Sequence, residues 1–354
     1  MATAIGGVYH WTHQKSLVCA QIAARRGTLT IGLKTKDDPF FLDRWISHHA
    51  RIVGLRHLLI LDNMSTDDAV KDVYKKYEPE LLVVQFDELN NLVHHVPTFR
   101  EMYHTLASST TFFVFLDTDE FLVRMDDGSF HEDSSIVEFI RSCGDVNWLP
   151  GTWLTDAFRS DTVFKCGTDP STLLGGLLWG KPVIRAGALV KSAVELNHNV
   201  QVCSMFAGTR TRTNLFVLHM RNLSPEQRIP SLLRRLAARR RFTFFSDDVR
   251  NLVEDGDDLA AILAKPSKHL PASIQKELTD LRRLVAIQAD GARPIGHLQS
   301  GHVRLKDGQI DYYSDVERDL FRRFLSDPDG IVQEAFADAA VIRAKAWPVR
   351  REQS

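Results

Sequence analysis

Thr111–Leu122 reads Thr-Phe-Phe-Val-Phe-Leu-Asp-Thr-Asp-Glu-Phe-Leu. A run of aromatic and β-branched residues, too short for a typical helix and ending abruptly in carboxylates, has the pattern of a strand buried on both faces as it leaves a parallel sheet. Such a strand delivers Asp117 and Asp119 to a sheet edge. In open α/β sheets, ligands bind in the crevice outside the carboxyl ends of the strands. Two acidic side chains two residues apart, where the strand unwinds, can converge on one hard divalent cation, and that cation can hold a diphosphate. Asp also favours turns and helix caps for reasons unrelated to metals, so the flanking pattern has to decide between the two readings.

Upstream, the pattern alternates. Thr28–Leu33 is β-branched and apolar, and the polar loop Lys34–Asp38 leads to Pro39 at a helix start, with Gly54 as the stop. His57–Leu61 predicts a second strand, closed by Asp62-Asn63-Met64-Ser65-Thr66-Asp67, whose polar groups supply the turn and the N-cap of a helix through Tyr77. Leu81–Phe86 reads as a third strand, and Phe99, Met102, Tyr103 and Leu106 have helical spacing before the central strand begins. Repeated β-α units of this kind imply a doubly wound, mainly parallel sheet with right-handed crossovers and helices on both faces.

Downstream, the alternation stops. Ser134–Ser142 reads as helix, and Trp148–Leu154, Lys181–Ile184 and Asn214–Leu218 as short extended pieces. Gly167–Gly180, with Gly175, Gly176 and Gly180, reads as a flexible loop able to fold over a ligand. From Ser224 the chain turns helical, with Arg234, Arg235 and Arg239–Arg241 forming a local basic face. Further helices are expected near Asp258–Leu263, Ala272–Gln288, Val316–Leu325 and Ile331–Ala346, with a hairpin within His297–Asp311. The expected organisation is a lead-in at 1–27, an α/β domain at 28–222 divided at 122/123 into a nucleotide-binding half and an acceptor half, and a helical region at 223–354.

A chain of 354 residues with a formal charge of −1 can bury a large core and has no global attraction to nucleic acid or to an acidic membrane. Cys19, Cys143, Cys166 and Cys203 lie far apart with no Cys-x-x-Cys spacing, which argues against a zinc knuckle or a disulfide framework. Polar residues interrupt the N-terminus and no stretch has the length of a membrane span, so the expected location is cytoplasmic, with peripheral contact at a membrane surface left open.

With these pieces placed, the sequence resembles the family-2-like glycosyltransferases of the GT-A fold, in the branch that carries an Asp-x-Asp-Glu-Phe motif. The resemblance runs from about Leu29 to Leu236. Asp117-Thr118-Asp119-Glu120-Phe121 matches the metal motif, and Asp62-Asn63-Met64-Ser65-Thr66-Asp67 is similar to the branch's Asp-Asn-x-Ser-x-Asp. Lys36-Asp37-Asp38 followed by Trp45 resembles its Lys-Asn-Glu loop with Asp at two places, and His219 before Ser224-Pro225-Glu226-Gln227 is similar to its late His. The resemblance implies a nucleotide-sugar donor, first a UDP-sugar, and a glycan or other hydroxyl acceptor, with inversion and no nucleic-acid partner. It implies Mn²⁺ or Mg²⁺ as cofactor, held by Asp117, Asp119 and His219, with Lys36, Asp38, Asp62 and Asp117 toward the donor; Lys181 and the Arg234/Arg235 group are candidates to neutralise the phosphates.

Such a reaction leaves a nucleoside diphosphate with growing negative charge, which a divalent cation stabilises as a Lewis acid. An inverting transferase also needs a carboxylate to take the acceptor's proton, and Asp156 and Glu120 are the candidates. His48-His49 and His94-His95 read as structural, because neither pair has a partner at ligand spacing. Two other classes compete: a phosphatase or phosphotransferase with an aspartyl nucleophile, and a nucleotide-binding protein without turnover.

Overall fold

The computed structural model describes residues 6–157, 159–190, 196–199, 213–254, 256–266, 268–289 and 298–327. The expected helix Ile331–Ala346 lies outside these residues. The described strands are β1 Gly7–His10, β2 Gly27–Thr35, β3 Leu58–Asp62, β4 Leu82–Gln85, β5 Thr110–Asp117, β6 Glu120–Asp126, β7 Ser129–His131, β8 Trp148–Thr155, β9 Val163–Lys165, β10 Lys181–Arg185, β11 Leu215–His219, β12 His302–Lys306 and β13 Gln309–Tyr312. They form one mixed sheet in the order β1-β4-β3-β2-β5-β10-β8-β11-β6-β7-β13-β12-β9.

The half from β1 to β5 is parallel throughout, and β2 to β5 are mainly apolar on both faces. Period two explains why. Phe112, Val114 and Leu116 of β5 pack with Phe41, Trp45 and Ile46 of the helix Pro39–Val53 on one face. Phe113 and Phe115 pack with Met102, Tyr103 and Leu106 of the helix Arg100–Ser109 on the other. Each fully buried aromatic stabilises the core by about 1.5–3 kcal/mol, so a continuous apolar run is what a strand covered on two sides requires. His48 and His49 fix the far half to this one: His48 Nε2 lies 2.8 Å from Leu122 O, and Leu122 N donates to His49 Nε2 at 3.1 Å. Both histidines are buried, as a structural role requires.

Three expectations change. Beyond β5 the sheet is not mainly parallel, because β10 enters antiparallel between β5 and β8, and β6 pairs antiparallel with β11. Residues 6–26 carry regular elements in place of a loose lead-in: β1 pairs parallel with β4, and Trp11, Val18 and Ile22 of the helix Trp11–Ala23 are buried. The expected flexible loop contains the helix Pro170–Trp179, capped by Asp169. Its glycines serve closeness, since a Cβ at Gly176 would stand 2.2 Å from Trp153 O and one at Gly180 1.8 Å from Gly151 O. That tight crossing lays β10 along β8 and brings Lys181 to the strand ends.

The hairpin β12–β13 turns at Asp307-Gly308, both with positive φ, which an Asp-Gly pair adopts readily. The helices Pro225–Ala237 and Ala272–Ala289 belong to a separate apolar cluster, with Ile229, Leu232 and Leu236 against Ile274, Leu278 and Leu281. This helical region faces the carboxyl ends of the parallel strands. Among the described residues no helix is long and apolar enough to cross a membrane.

Candidate active site

Register places the polar residues. Parallel pairing sets Lys34 beside Asp117 and Thr35 beside Asp62, while β11 sets His219 between Thr155 of β8 and Glu120 of β6. β10 and β6 run the other way, so their first residues, Lys181 and Glu120, arrive at the same edge. The chain leaves the parallel half at Asp117 and enters the mixed half at Glu120, and the two-residue step between them holds Asp119 at the seam.

A cavity of about 220 Å³ opens there between the strand ends and the helical region. Lys34, Asp38, Asp117, Thr118 and Asp119 form its floor, and Trp153 and His219 one side. The helices contribute Arg228, Ser231, Arg235, Lys276, Asp280 and Arg283. A second cavity of about 60 Å³ adjoins it through Lys36, Asn90 and Arg235, and is lined by Asn63, Arg239, Phe242 and Glu277.

Asp117 is held by two lysines, with Lys34 Nζ at 3.2 Å and Lys181 Nζ at 3.0 Å, one on each oxygen. Burial alone would raise its pKa, but Lys181 and Lys34 outweigh burial and keep the carboxyl well below the usual range. Asp119 Oδ2 lies 2.7 Å from Arg228 and 3.5 Å from His219 Nε2. There too the neighbouring charges overcome burial, and the carboxyl stays ionised.

The donor set fits a divalent cation at Asp119 and His219. Two neighbouring ligands about 2.1 Å from one octahedral cation stand roughly 3 Å apart, close to the separation of these two atoms. A carboxylate oxygen with an imidazole nitrogen suits a first-row divalent ion, and the guanidinium of Arg228 sits on Asp119 as a cation would. Among the described residues no three His, Cys, Asp or Glu side chains converge on one point, so oxygens of a bound molecule and water would complete the shell. Asp117 has both oxygens engaged by lysines and would contact such an ion only through water.

The other candidates fall into two groups. Lys36 and Asp38 line the cavity; Asp38 accepts from Thr118 Oγ1 at 2.8 Å, and burial raises its pKa. Lys36 also spans the second loop, donating to Asn63 O and Met64 O, each at 2.9 Å. Asp62, Lys181, Glu120 and Asp156 are enclosed and do not line either cavity. Asp62 closes its own loop by accepting from Ser65 N, Ser65 Oγ and Gln85 Nε2, which leaves Asn63 as the loop's face toward the small cavity. Lys181 is a counter-ion for Asp117 and, at 3.5 Å, for Glu120.

Neither proposed base opens on the cavity. Glu120 accepts from Trp153 Nε1 at 2.9 Å and from Asp117 N at 2.8 Å, and burial pushes its pKa up to about 7. Asp156 takes the Asn222 N–H on both oxygens, at 2.8 and 2.9 Å, and burial pushes it to about 7 as well. Its geometry is that of a latch that fixes the turn after His219. Asp156→Asn keeps one acceptor oxygen and is expected to lower turnover by less than about 10-fold, where loss of a general base costs about 10²–10⁴-fold. Steady-state rates with a working donor distinguish the two.

Several cavity residues went unread in the sequence. Lys34 was treated as loop, although one step of parallel register pairs it with Asp117. Arg228 and Ser231 carry a weak signal: with Arg235, which the sequence already offers with Arg234 as a phosphate counter-ion, their i, i+3, i+7 spacing puts them on one helix face. Lys276, Asp280 and Arg283, at i, i+4, i+7, also share one helix face, but nothing in the pattern names the surface they face.

No family model matches the chain, and no curated protein does. Among solved structures, TarS 1–349 of S. aureus in complex with UDP-GlcNAc is similar at 11% identity and a TM-score of 0.37, over 92% of this chain and 93% of that one. GalNAc-T7 with UDP, GalNAc and Mn²⁺ is similar at 11% identity and a TM-score of 0.37, over 81% and 68%. A cytidylyltransferase from Leptospira borgpetersenii is similar at 12% identity and a TM-score of 0.30, over 50% and 71%. None of these likenesses bears on function; the cavity's own residues do.

Proposed function

We propose that the protein is a metal-assisted glycosyltransferase that moves a sugar from a nucleotide-sugar donor, a UDP-sugar first, to a hydroxyl of a glycan or other acceptor. The observation that carries this is the meeting of Asp119 and His219, 3.5 Å apart, at the mouth of a cation-lined cavity at the strand ends.

The small cavity takes the nucleoside. Asn63 lines it beside Lys36, and Asn90 Oδ1 is buried there with no hydrogen-bond partner among the described residues, ready to accept from a base or ribose. The large cavity takes the diphosphate and sugar, with Trp153 presenting an apolar ring on the acceptor side, its centroid 4.5 Å from that of His219. A divalent cation, Mn²⁺ or Mg²⁺, held by Asp119 and His219 would supply Lewis-acid stabilisation of the leaving diphosphate, worth several kcal/mol.

Inversion requires a base that faces the cavity. Asp38 is better placed for this than Asp280, which Arg221 and Arg283 hold. One oxygen of Asp38 accepts from Thr118, and burial strengthens it as a base.

The test is a panel of nucleotide sugars incubated with the full chain and Mn²⁺, with release of nucleoside diphosphate followed. The expected result is release from one donor, accelerated by a hydroxyl acceptor. Hydrolysis of simple phosphate esters with no donor turnover would replace this reading by the phosphatase one.

A further inference from the structure

We infer, on the strength of the donor reading above, that the helix Pro225–Ala237 supplies a diphosphate clamp centred on Arg235, so that the region after Ser224 completes the donor site. Arg235 lines both cavities and stands at the neck where the nucleoside end, at Asn63 and Asn90, meets the end at Asp119. A nucleotide sugar laid across that neck places its two phosphates there.

The charge of Arg235 is spread over the site and not closed in one pair: against burial, Glu277, Asp117, Asp119 and Asp38 together hold it ionised. Arg228 pairs with Asp119, Arg239 with Glu277, and Arg221 and Arg283 share Asp280. Among the described residues no carboxylate lies within ion-pair distance of Arg235, and its Nε is buried without a hydrogen-bond acceptor. The unmet Nε–H donor would be satisfied by an oxygen of a bound anion.

The wider charge balance points the same way. Seven lysines and arginines line the large cavity against four aspartates. A released nucleoside diphosphate, at roughly −3, has the opposite sign to that excess, counting a terminal phosphate as nearly doubly charged. Arginine also suits the shape of the ligand, because its planar fork donates two parallel hydrogen bonds to phosphate oxygens, which lysine cannot do.

The neighbouring Arg234 shows what a structural arginine on this helix does. It donates to Asp37 O at 2.7 Å and lies 3.5 Å from Asp67, which ties the helix to the loops below. Ser231 reaches the same Asp37 carbonyl at 3.1 Å. Arg235, one residue on, makes no such tie.

The experiment is calorimetric titration of the full chain and its Arg235→Gln and Arg235→Lys variants with UDP, UMP, uridine and inorganic pyrophosphate, at fixed Mn²⁺, with unliganded melting temperatures alongside. Arg235→Gln is expected to weaken UDP by about 30-fold or more and pyrophosphate comparably, to weaken UMP less and to leave uridine unchanged. Arg235→Lys recovers only part, and neither variant melts lower without ligand. UDP binding by Arg235→Gln within threefold of the parent, or a lowered melting point with unchanged affinity, would overturn the clamp. Arg235-dependent pyrophosphate binding with no preference for UDP would keep the clamp and remove the nucleotide-sugar reading. Absence of binding to both UDP and pyrophosphate in the parent protein would remove both.

Discussion

Asp119→Asn is expected to lower sugar transfer by about 10³-fold while leaving the protein folded. The magnitude follows from Lewis-acid stabilisation of several kcal/mol, most of which is lost when the anionic ligand becomes a neutral amide. The fold survives because an amide oxygen still accepts from Arg228 and because the bond from Met220 N to Asp119 O belongs to the backbone. Rates at saturating Mn²⁺, with circular dichroism and melting temperature as controls, check the result. A loss under 10-fold would mean that Asp119 takes no part in charge stabilisation.

Lys181→Met is expected to act in the opposite way, on stability first. The side chain is 1% exposed and serves both Asp117 and Glu120. Removing one partner of a buried ion pair costs about 3–5 kcal/mol, which for a chain of this size lowers the melting temperature by about 4–7 °C. The loss should grow as pH rises through 7. Glu120 has its folded pKa raised to about 7, so below that value it is largely neutral and has less need of the lysine. Above it, the parent protein pairs an ionised Glu120 with Lys181, whereas the variant must either retain the proton or bury an unpaired charge. Melting curves from pH 6 to pH 8.5 measure this. An unchanged melting temperature with a raised KM for the donor would instead make Lys181 a donor-binding residue.

Strands β2 to β5 of the parallel half were legible in the sequence because they are buried on both faces and read as apolar runs, each but β5 closed by a polar loop, whereas the half-exposed edge strand β1 was not. Asp117 and Asp119 were legible for the same reason, since the apolar run of β5 ends on them. His219 was legible only through the resemblance. The mixed half was harder to read. β10 and β6 enter antiparallel, and strand direction leaves no mark on composition. Gly176 and Gly180 illustrate a second ambiguity, because a glycine that permits close packing against Trp153 and Gly151 looks in sequence like one that permits motion.

Residue type alone misled for the buried carboxylates and the arginines. Asp62, Glu120 and Asp156 have the chemistry of site residues, but their oxygens are occupied by Ser65, Trp153 and Asn222. Arg235 reads as part of a solvated basic face until the helix is docked over the strand ends, and the docking depends on contacts nearly two hundred residues apart, such as Arg234 to Asp37. The aspartyl-nucleophile reading of Asp117 meets the same obstacle as a direct metal role, since Lys34 and Lys181 take both its oxygens.

The most direct test of the central claim is the affinity of the full chain for UDP, titrated with Mn²⁺, with Mg²⁺ and with a chelator. The account predicts binding that a divalent cation tightens by at least about 10-fold, with Asp119→Asn losing the cation's share and keeping the remainder. Equal affinity with and without cation in both proteins would contradict the claim that Asp119 and His219 grip a metal beneath the departing nucleotide.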